Sequence, residues 1–506
     1  MSVCNRITDV YICFMLLVFP LFTGFHGYAQ LTDSKFVCFA AVTLLWLAAL
    51  LVCQRRDRSP QAKVRNPEGA AAALAAYALA AVLSAVCSPW LPDTLLGAGR
   101  WDGLVTLLLC VAVFFGIRRF AVPNRKHLYA LAVSLLVNAV LAILQLLGKN
   151  PLHLFPGSLL YYDANVRYTG EFLGTIGNVD LLAGYLCLCV PLFAFAYITD
   201  GRQYPLLLPA AAGVFLLLKS GVKSGLVGLA FCCLICIPVL LRSRGRLMRA
   251  CFAGAAVLLG TAAALLLRFS PEGVTLKLSA APLAALAATL LLLLFALFLN
   301  KRPAQPELPE KRYALVLWGI MLALALCAIA AVYFYNGKSG TLYELSRLLH
   351  GELREDFGSS RIRIWRELLQ LFPERPLLGG GPGTVAKRLS IEFSRYVSET
   401  GNTLRTFVDN AHCVYLTVLS DTGILGLAAY LTAQLCSLRR WYGSRSETGL
   451  RPALGCALLA FCAEECFGLN LCIVTPLFWL LWGLLEAKTR SVPDAPAGSS
   501  RPEGSE

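Results

Sequence analysis

Charge is scarce in this chain. Charged residues are 15% of its 506 positions, against about 25% in soluble domains. With 57% hydrophobic residues and a mean hydropathy of +0.65, a water-soluble globular domain is excluded. Histidine is scarcer still, at five copies, and no grouping of His with carboxylates has the spacing of a metal site. A nucleotide P-loop is missing too. The run Pro376-Leu377-Leu378-Gly379-Gly380-Gly381-Pro382-Gly383 lacks the Lys-Ser/Thr ending, which argues against an ATP site. No internal repeat is found, which counts against an inverted-repeat transporter. The polar stretch 336–411 holds no cysteine, so no disulfide framework supports it. Of the nineteen cysteines, Cys110, Cys187, Cys189, Cys232, Cys233, Cys236 and Cys327 lie in apolar segments, where thiols act as small hydrophobes. Cys232-Cys233-x-x-Cys236 has no His or carboxylate neighbours of metal-site type.

What is present in quantity is apolar sequence, in segments of about 20 residues that recur along the chain, the length needed to cross a bilayer as a helix. Twelve to fourteen spans are expected. Fourteen are drawn at 8–24, 36–53, 69–88, 103–117, 128–147, 180–198, 205–218, 225–241, 250–267, 279–299, 313–335, 412–435, 453–468 and 471–487. The fold class is therefore an all-α, polytopic membrane bundle with one large loop. The first segment, Val10 to Thr23, has no small-residue cleavage signature and reads as a retained helix. The expected organisation is 1–335 as N-terminal helices, 336–411 as the loop, 412–490 as C-terminal helices and 491–506 as a disordered tail. The stretch Lys301 to Arg312 is a hydrophilic, Pro-rich linker.

Basic residues cluster at Arg55, Arg56 and Arg58; at Arg118, Arg119, Arg125 and Lys126; at Arg242, Arg244, Arg246 and Arg249; at Lys301, Arg302, Lys311 and Arg312; and at Arg439, Arg440 and Arg445. With fourteen spans all of these fall on one side, which the positive-inside rule makes cytoplasmic. Both termini are then cytoplasmic, and the 336–411 loop is extracytoplasmic, at the cytoplasmic membrane. The net charge of +15 follows from this bias and from contact with anionic membrane lipids. It calls for no nucleic acid.

The loop concentrates the chemistry. Ser359 or Ser360 is suited to cap a helix that Pro373 ends. On that helix Arg361, Ile364, Trp365, Leu368 and Leu369 share one face, while Arg363, Arg366 and Gln370 share another. A guanidinium on an apolar face is costly unless an anion meets it, and it forks onto phosphate or carboxylate oxygens. Arg361 is thus a candidate for holding a diphosphate, or else for an ion pair with Glu355 or Asp356. The glycine run 379–383 is either a phosphate cradle built of N–H groups or a flexible turn. Asp409 or Asn410 is placed to cap the next helix, with His412 in its first turn. The helix dipole there disfavours imidazolium, so a neutral His412 is a candidate general base, with Asp409 near enough to orient it. His26, His127, His153 and His350 have no such partner set.

Further candidates lie elsewhere. Lys219 and Lys223 can add positive charge to the same cavity or snorkel to headgroups. Glu464 and Glu465 are carboxylates in an apolar span, either functional or wetted by the nearby surface. Arg100-Trp101-Asp102-Gly103 and the segment 170–180 stand out between spans, and Asn178 or Asp180 is suited to cap the helix that follows.

Together these blocks resemble a known family. Ser360-Arg361-x-x-x-Trp365, Pro376-Leu377-Leu378-Gly379-x-Gly381-Pro382, Asp409-x-Ala411-His412 with Tyr415-Leu416, and Thr422-Gly423-Ile424-Leu425-Gly426-Leu427 are similar in order and spacing to the signature region of the bacterial O-antigen ligase and polymerase family. Gly174-Thr175-Ile176-Gly177-Asn178 and Thr475-Pro476-Leu477-Phe478-Trp479 agree with outlying blocks. The resemblance implies a glycosyltransferase C-like membrane enzyme that moves a glycan from undecaprenyl diphosphate to a hydroxyl acceptor: a glycolipid, a glycan or a protein. It implies no cofactor and, for the ligases, no metal. Arg361 is implied to hold the diphosphate and His412 to activate the acceptor. Arg363, Lys219, Lys223, Asp409 and Asn178 are further substrate-binding candidates read from the residues themselves. Two positions depart from the pattern. Cys413 stands where the family usually has Asn, and a second outer arginine has no clear match, Lys223 being the nearest basic residue. A polymerase that joins repeat units on the same carrier is the nearest alternative. A lipid-linked sugar transporter, and a sensor or assembly subunit without catalysis, are the alternatives of other classes.

Overall fold

A computed structural model describes residues 2–56, 69–155, 172–301, 310–397 and 402–487. The tail 491–506, the centre of the 301–312 linker, Arg58, and Gly170 and Glu171 of the 170–180 segment lie outside the described residues. The helices run in the order α1 (Val3–Leu17), α2 (Leu31–Arg56), α3 (Gly69–Val86), α4 (Leu91–Leu96), α5 (Leu104–Phe120), α6 (Arg125–Leu146), α7 (Val179–Thr199), α8 (Leu207–Ser220) and α9 (Lys223–Leu240). There follow α10 (Arg244–Leu266), α11 (Ala280–Lys301), α12 (Glu310–Tyr333), α13 (Thr341–Leu349), α14 (Phe357–Leu371), α15 (Val385–Arg388), α16 (Val414–Gly443), α17 (Leu450–Glu464) and α18 (Thr475–Glu486). Two antiparallel hairpins, β1 (Leu267–Ser270) with β2 (Gly273–Leu276) and β3 (Glu392–Val397) with β4 (Asn402–Phe407), are the sheet structure of the described residues.

Each drawn span coincides with one of these helices, and eleven of the helices are long and apolar enough to cross a membrane. The chain is an all-α, multi-pass membrane protein. Counting the 3-10 turns that extend α1 and α8, the spans that fall short are α5, α17 and α18, at 17, 15 and 12 residues. Of these, α17 and α18 pack in the interior. Every residue of α18 is buried, with Trp479 and Trp482 packed around Tyr430 and the Trp482 indole donating to Ser437 Oγ at 2.7 Å. Helix α7 is buried almost throughout, between α8, α9, α10 and α17. The alanine-rich α3 lies along α16, where small side chains let two backbones approach.

The basic connections gather at one end of the bundle and are stitched to it. Arg125 pairs with Asp200 at 2.6 Å, Lys126 with Asp9, and Arg440 with Glu486 at 3.0 Å. The Arg246 guanidinium donates to the carbonyls of Arg445, Ser446 and Glu447 at 2.8, 3.0 and 2.8 Å. Asp200 and Arg440 mark the C-terminal ends of α7 and α16, so the N-terminal ends of those helices, at Asn178 and Cys413, lie at the other end. His127 belongs to the basic end and is not partnerless as expected. It is buried, its Nε2 lies 2.9 Å from Asp9 Oδ1, and its Nδ1 accepts the Asn124 backbone N–H at 3.3 Å. Asp9, Cys13 and His127 bring ligand-type atoms within 4.8 Å of one another. With Nδ1 accepting, Nε2 carries the proton towards Asp9, and Lys126 already neutralises that carboxylate, so the group is a helix cap and ion pair.

The 336–411 stretch is a small layer with its own core. Ile364, Leu368, Val385, Leu389, Ile391, Val408 and Ala411 are buried together, with Trp365 and Phe393 packed around them. Leu369 leaves the expected apolar face and is exposed. Pro373 ends α14 as expected, in a 3-10 turn, but neither serine caps it: Gly358, Ser359 and Ser360 form a left-handed turn at φ 63, 58 and 64°.

The glycine run is neither a phosphate cradle nor a flexible turn. It lies against a break in α16 at Gly423, with φ 64° and ψ −168°. The N–H groups of Gly380 and Gly381 donate to the carbonyls of Ser420 and Asp421 at 2.9 and 3.0 Å, and that of Gly383 to Asp421 Oδ2 at 3.0 Å. Arg388 closes the joint on Asp421 Oδ1 at 3.2 Å. These donors are occupied within the protein, so no phosphate reaches them. A Cβ on Gly423 would stand 2.3 Å from the Leu377 carbonyl. Gly423→Val is therefore expected to lower the thermal stability of the detergent-solubilised protein. Backbone strain alone contributes about 1–3 kcal/mol, and the clash adds to it. Unchanged melting would contradict this packing.

Candidate active site

Arg361 opens the regular part of α14, one turn before Ile364 and two before Leu368, both of which anchor in the loop core. That register turns Arg361 inward. Its Nε is buried with no hydrogen-bond partner. The two carboxylates that the sequence offers it are taken: Glu355 pairs with Arg366, and Asp356 with Arg354 at 3.1 Å. Arg361 as a whole is half-buried, but burying a guanidinium N–H without a partner is costly, and that donor is where an anion fits.

His412 is not in the first turn of α16. It lies in a bend at φ 49°, one residue before Cys413, which occupies the N-cap position without a side-chain bond. Asn410 shapes that bend, its Oδ1 accepting the His412 backbone N–H at 2.9 Å. The Trp365 indole of α14 donates to the Ala411 carbonyl at 2.9 Å, tying the arginine helix to the histidine. The Val414 N–H donates to the Glu465 carbonyl at 2.8 Å, which seats the start of α16 on α17.

The imidazole titrates below its ordinary value of about 6.5. Burial does most of this, and the neighbouring Arg361 guanidinium adds to it. Asp180 opposes the shift, Arg100 reinforces it, and Asp409 opposes it more weakly. The structure thus brings Arg361 and His412 into one electrostatic neighbourhood, with a neutral ring at neutral pH able to accept a proton.

Two charged members of this neighbourhood were not expected there: Arg100 had no assigned role, and Asp180 was only a candidate helix cap. Arg100 reaches it from the connection before α5 and pairs with Asp409. Asp409 is thus held by Arg100 rather than by the histidine. Next to it Trp101, at φ 56°, stacks on Phe36 at 4.2 Å and donates to Asp33 Oδ1. Asp180 stands in the first turn of α7, placed there by Asn178, whose Oδ1 accepts the N–H groups of Asp180 and Leu181 at 2.8 and 3.1 Å. Asn178 acts here as the expected cap. The segments carrying Arg100 and Asp180 stood out in the sequence, but nothing in the spacing couples position 100 to 409 or 180 to 412.

Glu464 and Glu465 are not wet: they are 2% and 0% exposed. Glu465 accepts from Tyr430 at 2.7 Å and from Gln434 at 2.8 Å. Glu464 accepts from Ser224 at 3.1 Å, and Gly184, Gly228 and Gly468 clear the space around it. Asp180 and Arg361 are its charged neighbours across the site.

Of the remaining basic candidates, Lys219 and Arg363 are engaged by other groups. The Lys219 ammonium donates to the Leu267 carbonyl and sits over the Phe269 ring at 5.4 Å. Lys223 is exposed at the start of α9. Arg363 pairs with Glu367 at 3.2 Å and lies over Phe393. A cavity of about 70 Å³ adjoins the first turns of α16, lined by Asp102, Asp421, Thr417 and Asn470 together with Leu107, Val418 and Trp479 among others. Burial pushes the Asp102 carboxyl up to about 6.

Arg100→Gln removes a cation that lowers the His412 pKa and frees Asp409, which raises it. The acid limb of the transfer rate against pH is expected to move to higher pH. An unmoved limb would dissociate Arg100 from the histidine.

Comparison with curated proteins and with solved structures gives no match. Residues 273–431 match the protein-family model described as O-antigen ligase. That stretch runs from β2 to the middle of α16, contains both Arg361 and His412, and supports an O-antigen ligase family assignment.

Proposed function

We propose that this protein transfers a glycan from undecaprenyl diphosphate to a hydroxyl acceptor at the outer face of the cytoplasmic membrane. The family match supports membrane glycosyltransferase activity of the O-antigen ligase or polymerase type. The observation that carries the finer reading is the pairing of an unpartnered, buried Arg361 Nε with a histidine kept neutral beside it. Diphosphate oxygens complete the guanidinium fork. The carrier's polyprenyl tail lies between the apolar helices, and the positive-inside rule puts the site end outside.

His412 takes the proton of the acceptor hydroxyl as its oxygen attacks the anomeric carbon. The bond from that carbon to the diphosphate oxygen breaks, and its electron pair stays on the diphosphate, which departs on the lipid. Attack comes from the face opposite the leaving group, giving inversion. Arg361 and Arg100 supply positive charge where negative charge gathers.

The test is purified protein with labelled undecaprenyl-diphosphate glycan and a hydroxyl acceptor. Label on the acceptor supports a ligase. Longer lipid-linked chains assign a polymerase. Movement across the membrane without transfer, or no reaction, contradicts the proposal.

A further inference from the structure

The loop carries an apolar face that its own core does not use. Helix α13 reads Thr-Leu-Tyr-Glu-Leu-Ser-Arg-Leu-Leu and places Leu342, Leu345 and Leu349 on one arc of roughly 60°, at about 100° per residue. These leucines stay 48%, 43% and 47% exposed. Beside the stripe, Ser346 turns onto α12, its Oγ donating to the carbonyls of Tyr333 and Tyr335, both at 3.3 Å. The His350 ring stacks on Tyr333 at 4.2 Å, and its Nδ1 donates to the Ser346 carbonyl at 2.7 Å. Helix α13 is therefore clamped to the last turn of α12.

That clamp fixes its height. Helix α12 is a candidate span with no residue of its apolar window buried in protein. It ends at Tyr333 and is followed by Phe334 and Tyr335, the aromatic signature of a membrane–water boundary. A helix fastened at that boundary, with leucines on one arc and Tyr343, Glu344 and Arg347 on the rest, has the makeup of a segment lying in the plane of the interface. We propose that α13 lies on the bilayer with its leucine stripe in the lipid, and that it sets the depth at which Arg361 is held. The connection to Arg361 is direct. Glu344 Oε2 accepts the backbone N–H of Gly358 at 3.1 Å, at the head of the left-handed turn that leads into Arg361. The Tyr343 and Phe357 rings pack edge to face beside it, with centroids 6.5 Å apart. The depth claim rests on the diphosphate reading of Arg361; the lipid claim does not.

The experiment places a photo-crosslinking amino acid at Leu345 in full-length protein in phosphatidylethanolamine–phosphatidylglycerol nanodiscs. Leu326, exposed on the apolar span α12, and Arg354, exposed on the loop, serve as references. Phospholipid adducts at Leu345 are expected at a yield close to that at Leu326 and several-fold above that at Arg354. A yield no higher than at Arg354, or adducts to a second protein chain, would overturn the lipid assignment. Leu345→Glu is expected to lower glycan transfer several-fold while Leu345→Trp retains it, both eluting as folded protein. Lipid adducts with normal transfer by Leu345→Glu would overturn the depth claim alone. Loss of the Arg361 reading would leave the adducts unchanged.

Discussion

His412→Ala is expected to reduce glycan transfer by about 10²–10⁴-fold, the usual contribution of a positioned general base, while the protein still inserts and folds. The fold should tolerate the change because the bend at 410–413 is held by backbone and neighbour contacts, not by the imidazole. Asn410 Oδ1 accepts the His412 backbone N–H, and Trp365 holds the Ala411 carbonyl. The left-handed backbone at φ 49° costs alanine little more than histidine. His412→Gln is the stricter variant, keeping polarity and approximate size but not basicity in the working range. Both are measured by single-turnover transfer from labelled undecaprenyl-diphosphate glycan, with elution volume as the folding control. Wild-type rates in either would remove the proposed base.

The second large effect is at Arg361. Replacement by lysine keeps the charge but not the planar fork, and at a bidentate site that exchange is not conservative. Arg361→Lys is expected to cost about 10²–10³-fold in transfer, on the scale of losing one preorganised donor aimed at developing charge. Arg361→Ala is expected to cost at least as much. Because Arg361 Nε makes no hydrogen bond in the protein, neither change breaks a native bond, and melting temperature should hold or rise. A fall in stability matching the fall in activity would instead mark Arg361 as structural.

The bundle was legible because lipid imposes one rule on every span, and its apolar length follows from that rule. The interior helices α17 and α18 were drawn from their hydropathy, but their burial inside the bundle is not encoded in composition. Arg361 and His412 were legible because each breaks a local pattern, a cation on an apolar face and a histidine at a helix entrance. The glycine run was misread because its partners, Ser420 and Asp421, lie about forty residues on. Arg100 had no role assigned for the same reason, since its contact with Asp409 joins two connections far apart in the chain. Glu464 and Glu465 were placed in the right span, but their burial depends on hydrogen bonds from Ser224, Tyr430 and Gln434 on two other helices. Lys219 looked available, and its carbonyl partner at Leu267 belongs to a hairpin that the pattern did not announce.

The most direct test is the titration of His412 itself, read by nitrogen-15 resonance in histidine-labelled protein, with and without undecaprenyl diphosphate. Only five histidines contribute, and His412→Gln assigns the signal. The account predicts an apparent pKa below about 6.5 in the free protein, because burial and Arg361 oppose the charged ring. It predicts a rise when the diphosphate binds and offsets that guanidinium, and loss of the rise in Arg361→Gln. A His412 that titrates at its ordinary value and ignores the diphosphate would contradict the account.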